Sequence, residues 1–322
     1  MESPPLVTIG IPTVRRLDYL REAVASALAQ THPQVEVLIS QDPGEHGLDE
    51  AVATWGAAQA ATNSRIRYHA HASRQGLGGN MNATAALASG KYLTLIGDDD
   101  RLLPDFVATL LAAAESSGAD IAFCNQWFID ASGTRLPATT NALNRHYGRE
   151  RLQAGLQADP VSCVWRNSVP LSAALIRTED VARFPFPHDT NAVDIGFFAR
   201  LAAGGGQFTF VPARLADYRV HPGAETAAGL QYEALIEHLR VIAVPPGSEA
   251  IKREFLESAV YAATRARLLR GEMPQARLFL HHEYYPQGRA AQRILVRLPA
   301  PLGTLVMRSY QGLRRALAKS PA

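Results

Sequence analysis

Three consecutive carboxylates, Asp98, Asp99 and Asp100, are the clearest sign of chemistry in the sequence. They directly follow residues 92–96 (YLTLI), an apolar run typical of a buried strand. Adjacent carboxylates repel one another, and a bound Mg²⁺ or Mn²⁺ relieves that repulsion because these ions prefer oxygen ligands. The pattern therefore predicts a divalent cation at the end of a strand. The simpler alternative is a solvated turn in which Asp100 caps the following helix.

Asp42 and a glycine-rich segment are two candidate binding features. Asp42 follows the strand-like residues 35–40, where a carboxylate can accept a hydrogen bond from a base or a ribose. The sequence Asp-Pro-Gly at this point is equally good turn chemistry. Residues 76–80 (GLGGN) open a helical pattern, so their backbone amides can approach a phosphate; a mobile loop is the alternative.

Two further single residues suit a base or a ligand. Asp194 begins a helical pattern, and a helix N-terminus stabilises the ionised carboxylate that a general base needs. The alternative is an ordinary N-terminal acid. His221 follows a strand-like run and suits a metal or a phosphate, whereas a lone histidine in such a place is otherwise structural.

Composition and missing motifs exclude several classes of protein. The 322 residues are 47% hydrophobic and 19% charged, which excludes bulk disorder and leaves room for one large or two ordinary domains. Two cysteines, Cys124 and Cys163, are too few for a disulfide framework or a four-cysteine zinc site. The sequence holds no G-x-G-x-x-G, G-x-x-x-x-G-K-[ST] or G-x-S-x-G motif, which disfavours dinucleotide-binding, P-loop and serine-hydrolase classes.

Strand-like and helix-like segments alternate through the first half of the chain and must position these side chains. Five segments predict strands, at residues 6–11, 35–40, 66–69, 92–96 and 120–129. Helical patterns lie between them at residues 20–28, 48–61, 80–89 and 102–117. Such an order predicts a parallel sheet with helices on both faces, whose ligands bind beyond the carboxyl ends of the strands. Thr13, Asp42 and Asp98 lie at such ends, so we expect one shared site.

The second half is less regular and ends in a basic segment. It predicts strands within residues 162–176 and at 208–211 and 215–220, and helices at 192–203, 232–244, 250–270, 274–282 and 291–317. Seven basic residues and no acid follow Glu283, so this +7 segment leaves −5 on the rest of a chain of net charge +2. The seven are Arg289, Arg293, Arg297, Arg308, Arg314, Arg315 and Lys319.

Seven pieces, in order, resemble the motifs of family 2 glycosyltransferases, from about residue 6 to residue 222. Residues 11–15 (IPTVR) resemble the family's IPTYNR, residues 26–31 its SxLxQT, and residues 35–42 its strand ending in paired acids. Residues 76–80 resemble GLSxARN, and residues 90–100 resemble GKYIxFLDDDD, which contains the DXD motif. Asp194 matches the acid of the ED helix, and residues 218–221 (YRVH) match YRxH.

The resemblance implies a GT-A fold, which is a Rossmann-like α/β fold with a mostly parallel central sheet flanked by helices, here with a C-terminal helical extension. It implies a nucleoside-diphosphate sugar donor, with UDP or dTDP favoured over GDP, and inversion at the sugar C1. The implied donor-binding residues are Pro12, Thr13, Val14, Asp42, Gly76, Asn80, Asp98 and Asp99. Asp100, Asp99 and His221 would hold Mg²⁺ or Mn²⁺, and Asp194 would take the proton of the acceptor hydroxyl.

Three departures from the family pattern keep alternatives open. Gln41 replaces the first paired acid, Val14 replaces an aromatic residue, and Val193 replaces the Glu before Asp194. Asp189 is therefore a rival base, and a non-catalytic nucleotide-sugar-binding or scaffold protein of the same fold is the alternative function. A magnesium phosphotransferase is disfavoured, because its acid motif normally ends the first strand rather than the fourth.

The expected organisation is a glycosyltransferase domain at residues 1–225 and a mostly helical basic region at 226–322. Within the first, residues 1–130 would hold the donor and 131–225 the acceptor, a glycan or a lipid-linked molecule. No secretory signal and no apolar run of about 18 residues is visible, so we expect a cytoplasmic protein. The basic helices would dock on the inner face of the cell membrane, or else form a solvated extension or a homodimer interface. We expect no nucleic-acid partner.

Overall fold

Contacts divide the chain into two units, Met1–Leu230 and Gln231–Ala322. The structure is a computed structural model that describes residues 3–225, 229–288, 290–299 and 301–309. Four of the seven basic residues that follow Glu283 lie outside the described residues: Arg289, Arg314, Arg315 and Lys319.

The first unit begins with four strands separated by three helices. In chain order they are β1 (Val7–Thr13), α1 (Leu17–Leu28), β2 (Val35–Gln41), α2 (Glu50–Thr62), β3 (Ile66–Ala70), α3 (Gly76–Leu87) and β4 (Tyr92–Leu95). Every residue of β2 is buried, as expected for a central strand covered by helices on both faces. Helix α2 begins where the Asp49 side chain accepts a hydrogen bond from the Val52 backbone N–H at 3.0 Å.

The remainder of this unit mixes short strands and helices. In chain order these are β5 (Arg101–Leu102), α4 (Phe106–Ser117), β6 (Ile121–Ile129), α5 (Pro137–His146), β7 (Gly155–Leu156), α6 (Pro160–Trp165), β8 (Ala174–Arg177), α7 (Thr178–Arg183), α8 (Val193–Ala203) and β9 (Phe208–Arg219). Helix α4 ends at Gly118, whose φ of 70° is the left-handed conformation that glycine adopts most easily.

Within the described residues, nine strands form one sheet in the order β3-β2-β1-β4-β8-β6-β9-β5, with β7 paired to β9. The pairs β1–β2, β1–β4, β2–β3 and β6–β9 are parallel. Strand β8 lies antiparallel between β4 and β6. The α/β architecture with a mostly parallel sheet is therefore confirmed, and β1, β2 and β4 end at the same edge.

The strand order and the starts of two helices differ from the sequence-based expectation. Strand β8 separates β4 from β6, although the alternating pattern suggested an uninterrupted parallel order. The glycine-rich residues 76–80 form the first turn of α3 rather than a loop before it. Helix α4 begins at Phe106 instead of Leu102, because Arg101 and Leu102 pair with β9.

Residues 162–176 and 208–220 also differ from expectation. The first range was expected to hold strands, but residues 160–165 form α6 and a strand begins only at Ala174. The two expected strands at 208–211 and 215–220 are one strand, β9. A register shift against β6, between Cys124 and Gln126, keeps β9 continuous past Pro212.

The second unit is helical. It contains α9 (Tyr232–Arg240), α10 (Glu249–Arg270), α11 (Met273–Phe279), α12 (Ala290–Leu295) and a helical segment at residues 301–309. Its own apolar core is formed by Leu268, Met273, Ala276, Val296 and Met307. The expected helix at 291–317 is interrupted after Leu295, and its residues beyond 309 lie outside the described ranges. Among the residues that the structure describes, no helix is both long and apolar enough to cross a membrane.

Candidate active site

The ends of β1 and β4 bring Thr13 and Asp98 into contact. The two strands pair in parallel from Val7 and Tyr92 onward, so their carboxyl ends are neighbours. The Thr13 hydroxyl donates a hydrogen bond of 2.6 Å to Asp98 Oδ2, and both side chains are buried. Burial raises the pKa of Asp98 to about 6, against the opposing effect of the Arg16 guanidinium and the Thr13 hydroxyl.

Asp99 joins the end of β4 to the end of β9. Its Oδ2 lies 2.8 Å from His221 Nε2 and 2.9 Å from Arg16 Nη1. The His221 ring also lies 5.1 Å from the Tyr19 ring of α1, measured between centroids. Of the three acids, Asp99 keeps the most contact with solvent, with 13% of its side chain exposed. It is therefore the carboxylate best placed to meet a ligand from solution.

Asp100 is held by hydrogen bonds from Arg219, at the end of β9, and from Ser172. Its Oδ1 accepts the backbone N–H of Arg219 at 2.9 Å, and the Ser172 hydroxyl also donates to its carboxylate. Burial raises the pKa of Asp100, and the negative charge of Asp99 raises it further. A cation bound next to Asp100 would lower the pKa of its carboxyl and favour the ionised form.

Two arginines complete the cluster, and sequence reasoning gave neither a role. Arg16 forms ion pairs with both Asp98 and Asp99. Arg219 is buried; its Nε donates to the Asp99 backbone oxygen at 2.7 Å and its Nη2 to Glu22 at 2.6 Å. Arg219 lies within YRVH, and Arg16 directly follows IPTVR, so proximity to these motifs was the available signal.

The carboxylates of Asp99 and Asp100 converge on one point. A Cβ atom built on Gly97 would lie 2.5 Å from Asp99 Oδ1 and 3.3 Å from Asp100 Oδ2, so these two carboxylates converge beside this glycine. Among the described residues no three acid, histidine or cysteine side chains form a preformed metal site. The two converging carboxylates alone suit Mg²⁺ or Mn²⁺, because these ions take one or two carboxylates and complete their shell with water and substrate phosphates.

Asp42 holds the start of α3 with both carboxylate oxygens. Its Oδ1 accepts the backbone N–H of Gln75 at 2.7 Å, and its Oδ2 accepts that of Gly76 at 2.9 Å. The Asp42 backbone N–H donates to the Thr13 oxygen at 2.8 Å, which places Asp42 beside the end of β1. Gly76 has a φ of 71° and open space where a side chain would stand.

Asn80 has its side chain directed into the protein. The side chain is buried, donates to the Ser40 backbone oxygen at 3.1 Å and accepts from the Ser40 hydroxyl at 2.7 Å. His71 Nε2 lies 3.2 Å from the same amide oxygen. The structure therefore does not bring Asn80 to the ligand side of α3; it fastens α3 to β2.

Pro12, Val14 and Gln41 line the end of the first two strands. Pro12 is half-buried in β1, and Val14 is 38% exposed immediately after it. Gln41, which stands where the family pattern has an acid, is buried and its amide donates to the Asp49 oxygen at 3.0 Å. Its amide oxygen accepts a hydrogen bond of 2.6 Å from the Tyr68 hydroxyl. Both polar groups of the Gln41 side chain are therefore bonded to other residues of the protein.

Asp194 lies in the first turn of α8 and is half-buried. Burial raises the pKa of this carboxyl, while the backbone N–H of Ile195 and the charge of Arg149 lower it. Val193 is 3% exposed and belongs to the core, so the residue that replaces the family's Glu does not face solvent. Asp189 is exposed, in the segment between α7 and α8.

The first half of the chain matches a known protein family. Residues 8–169 match the model of glycosyl transferase family 2, which is half of the chain and includes β1 to α6. The chain belongs to this family. The matched range contains the acid cluster and Asp42, whereas Asp194 and His221 lie beyond its end.

Curated relatives match part of this chain. The succinoglycan biosynthesis protein ExoO of Rhizobium meliloti is 29% identical over 136 residues, which are 42% of this chain and 37% of the relative. The abequosyltransferase RfbV of Salmonella typhimurium is 31% identical over 123 residues, 38% of this chain and 36% of that one. An uncharacterized glycosyltransferase of Rickettsia bellii is 36% identical over 104 residues, 32% of this chain and 14% of that one. The matches thus span less than two-fifths of each relative.

Solved structures show the same fold over nearly the whole chain. Residues 1–349 of S. aureus TarS in complex with UDP-GlcNAc superpose with a TM-score of 0.65 at 16% identity, covering 95% of this chain and 92% of that one. The mannosyltransferase PcManGT of Pyrobaculum calidifontis, in complex with GDP-Man and Mn²⁺, gives 0.56 at 18% identity, covering 94% and 87%. The expected GT-A fold is confirmed by these likenesses.

Proposed function

We propose that this chain is an inverting, metal-dependent glycosyltransferase that moves a sugar from a nucleoside-diphosphate sugar to an acceptor hydroxyl. One observation carries the proposal: Asp98, Asp99 and Asp100 meet Thr13 and His221 at a single edge of the sheet. Asp42 is attached to the same edge through the Thr13 backbone. Ligands of open α/β sheets bind at this edge, and a cluster of acids there suits a cation that binds a diphosphate.

The donor base and ribose would lie against Pro12, Thr13 and Val14. Asp42 would accept the N3–H of a pyrimidine, which favours UDP or dTDP over GDP; each of its oxygens keeps a second lone pair beside the bond it accepts from α3. Gly76 leaves open space for the donor at the start of α3. We assign Asn80 a positioning role, since its polar atoms are used within the protein.

Asp99 and Asp100, with His221, would hold Mg²⁺ or Mn²⁺, and Asp98 would contact the ribose or the sugar. When bound, the ion supplies Lewis-acid stabilisation to the diphosphate leaving group. The geometry of the cluster supports this assignment, because a cation bound between Asp99 and Asp100 would relieve the repulsion between their carboxylates.

Asp194 would be the general base. In a single displacement the acceptor oxygen forms a bond to the sugar C1 while the bond from C1 to the diphosphate oxygen breaks, and the acceptor proton passes to Asp194. The raised pKa of Asp194 suits this transfer, because a stronger base accepts the proton of the acceptor hydroxyl more readily. Attack opposite the leaving group inverts the anomeric centre.

Binding and turnover of the full chain test this function in separate steps. We expect UDP or dTDP to raise Tm by about 3 °C or more only with Mn²⁺ present, and Asp100→Ala to abolish that rise. Asp194→Asn should keep the rise but slow donor hydrolysis by about 10²–10⁴-fold. Asp189→Asn is the matched control and should turn over normally.

Two outcomes would contradict the assignment. Normal turnover in Asp194→Asn together with lost turnover in Asp189→Asn would move the base to Asp189. Nucleotide binding without any turnover in wild type would support the alternative, a non-catalytic nucleotide-sugar-binding or scaffold protein.

The acceptor would be a glycan or a lipid-linked molecule in bacterial surface polysaccharide synthesis, bound by residues 131–225. This proposal draws on the relatives, among them a GalNAc(5)-diNAcBac-PP-undecaprenol beta-1,3-glucosyltransferase of Campylobacter jejuni, 28% identical over 118 residues. Lipid-linked acceptors are presented at the inner face of the cell membrane, so we place the cytoplasmic enzyme there. No nucleic-acid contact is part of the proposal.

The second unit would provide the membrane contact. The outward face of residues 301–309 carries three exposed apolar side chains, Leu302, Leu305 and Val306, with Arg308 beside them. Leu305 and Arg308 line one shallow cavity of about 330 Å³ together with Arg270. Exposed apolar groups next to arginines are typical of a helix that lies in the interface of an anionic bilayer.

A further inference from the structure

Arg16 places a positive charge inside the acid cluster. One of its guanidinium nitrogens pairs with Asp98, and Nη1 lies 2.9 Å from Asp99 Oδ2. The charges of Asp98 and Asp99 raise the pKa of Arg16 against the opposing effect of burial, so the guanidinium stays charged. In this arrangement a single arginine balances part of the charge of three carboxylates.

The backbone of Arg16 is strained. Its φ of 94° lies in the left-handed region, which is unfavourable for a residue with a Cβ. Such a conformation persists only where the surroundings impose it and is found mostly at functional sites. Here it occurs at the turn between β1 and α1, and it directs the side chain toward the acids that follow β4.

The contacts of Arg16 overlap with those expected of the divalent cation. Asp99 Oδ2 is shared between Arg16 and His221, and Arg16 Nη1 is 3.5 Å from His221 Nε2. A metal ion held by Asp99 Oδ2 and His221 Nε2 would lie against this guanidinium, and the two positive charges would repel each other. Arg16 and the metal thus compete for one carboxylate.

A diphosphate would offer Arg16 a replacement partner. About a third of its side chain, 32%, remains exposed, so the guanidinium can turn toward a ligand at the sheet edge. Guanidinium groups bind phosphate oxygens with paired, charge-assisted hydrogen bonds. The donor therefore brings both a ligand for the metal and a new partner for the arginine.

We propose that Arg16 is a tethered counter-ion that holds Asp99 while no donor is bound and transfers to the diphosphate when donor and metal enter. The inference rests on the proposed function. Its consequence is a coupling of the two ligands: Mn²⁺ binds weakly alone and tightly with nucleotide, and by linkage the nucleotide depends on Mn²⁺ to the same degree.

The affinity of the full chain for Mn²⁺, measured from the electron paramagnetic resonance signal of the free ion with and without UDP, tests this coupling. In wild type we expect UDP to tighten Mn²⁺ binding by about tenfold or more. Arg16→Gln removes the competing charge, so Mn²⁺ alone should bind about tenfold more tightly and the effect of UDP should shrink. Arg16→Lys keeps the charge and should stay within about threefold of wild type.

Arg135→Gln is the matched control, since Arg135 pairs with Asp217 and has no contact with the three acids among the interactions described. It removes the same charge and should leave Mn²⁺ affinity unchanged. Equal Mn²⁺ affinity in wild type and in folded Arg16→Gln would overturn the proposal. It would also be overturned if Arg16→Lys bound Mn²⁺ as much more tightly than wild type as Arg16→Gln does. If Arg16→Gln does not fold, independent binding of Mn²⁺ and UDP to wild type overturns it.

Failure of the proposed function would look different. In that case neither UDP, dTDP nor GDP binds wild type at any Mn²⁺ concentration. Nucleotide binding that is intact in wild type, combined with a Mn²⁺ affinity that ignores Arg16, refutes the counter-ion role alone.

Discussion

The positive charge of Arg149 opposes the effect that burial has on the pKa of Asp194. Burial raises the pKa of Asp194, and the buried Arg149 guanidinium lowers it. A general base must be ionised, so activity should rise with pH through this raised pKa, above the usual range of an aspartate. Arg149→Met removes the positive charge, and the pKa of Asp194 should then rise further.

The acid limb of the kcat/KM profile measures this shift. In Arg149→Met we expect the limb to move to higher pH. Arg149→Lys retains the charge and should leave the limb near its wild-type position. A limb that does not move in Arg149→Met would show that Asp194 is not the group whose ionisation limits the reaction.

A second buried carboxyl affects stability instead of activity. Burial raises the pKa of Asp180 to about 6, and its buried Oδ2 has no hydrogen-bond partner within the described part of the chain. Between about pH 4 and 6 the folded chain binds more protons at this site than the unfolded chain, so stability falls as the pH rises through that window. Above it the full cost of the buried charge remains.

Asp180→Asn should therefore raise Tm by about 2–5 °C near pH 7.5, and the difference should disappear near pH 4. Thermal unfolding at both pH values measures it. Asp18→Asn is the control, because the Asp18 side chain is 95% exposed and its loss should change Tm little. A stabilisation of the same size at both pH values would refute the ionisation argument.

Helix α3 connects the donor residues to the segment that leads to Asp194. Asp42 holds its first turn, and the Asn82 side chain donates to the Phe186 oxygen at 2.9 Å and accepts the Phe186 N–H at 2.8 Å. A Cβ built on Gly78 would lie 1.9 Å from the Pro187 backbone oxygen. The absence of a side chain at Gly78 is therefore what allows residues 185–188 to approach α3.

Gly78→Ala should displace this segment, because the colliding atom belongs to the backbone and cannot rotate away. We expect a loss of about 1–3 kcal/mol in denaturant unfolding and a fall in kcat larger than the change in nucleotide affinity. Gly79→Ala is matched in chemistry and helix, but its nearest contact is the His188 side chain at 3.1 Å, which can turn. It should cost less than about 1 kcal/mol, and equal losses in both variants would contradict the steric argument.

Elements defined by local pattern were predictable, and those defined by distant partners were not. The strands β1, β2 and β4 were visible as apolar runs, because almost every residue in them is buried. The position of β8 depends on pairing with β4 and β6, and the continuity of β9 depends on a bulge opposite Cys124 and Asn125. No local pattern contains that information.

The same distinction holds for the site. Asp98, Asp99 and Asp100 are recognisable because adjacent acids are unusual, and Asp42 because it ends a strand. Arg16 is separated from these acids by more than 80 residues, and its role comes only from the pairing of β1 with β4. Whether an arginine is solvated or buried among carboxylates depends on such long-range contacts.

At the scale of the whole chain, the charge is divided between two parts. The segment after Glu283 carries +7 and no acid, whereas the preceding residues sum to −5. The family match ends at residue 169, so the basic segment belongs to a part of the chain that the family model does not describe. A basic segment with exposed apolar groups fits an anionic membrane, where each basic residue near the surface contributes about 1 kcal/mol.

Sedimentation of the full chain with vesicles tests the proposed membrane contact. We expect binding to vesicles with about one-third phosphatidylglycerol, little binding to pure phosphatidylcholine, and release as salt rises from about 0.1 to 0.5 M. Leu302→Ser, Leu305→Ser and Val306→Ser combined should weaken binding, because they remove the exposed apolar side chains. Replacing Arg293, Arg297 and Arg308 by Gln should lower the affinity about 100-fold, at about 1 kcal/mol for each lost charge.

Val241→Ser is the control, since Val241 is 70% exposed in the same unit but lies outside the residues assigned to the membrane. It should bind vesicles as wild type does. The alternative role of these helices is a homodimer interface, which gives a different pattern. Light scattering of wild type would then give twice the monomer mass, and the apolar triple variant would give the mass of a monomer. That result, or vesicle binding unaffected by either triple variant, would refute membrane docking, because an apolar face covered by a second copy is not free to enter lipid.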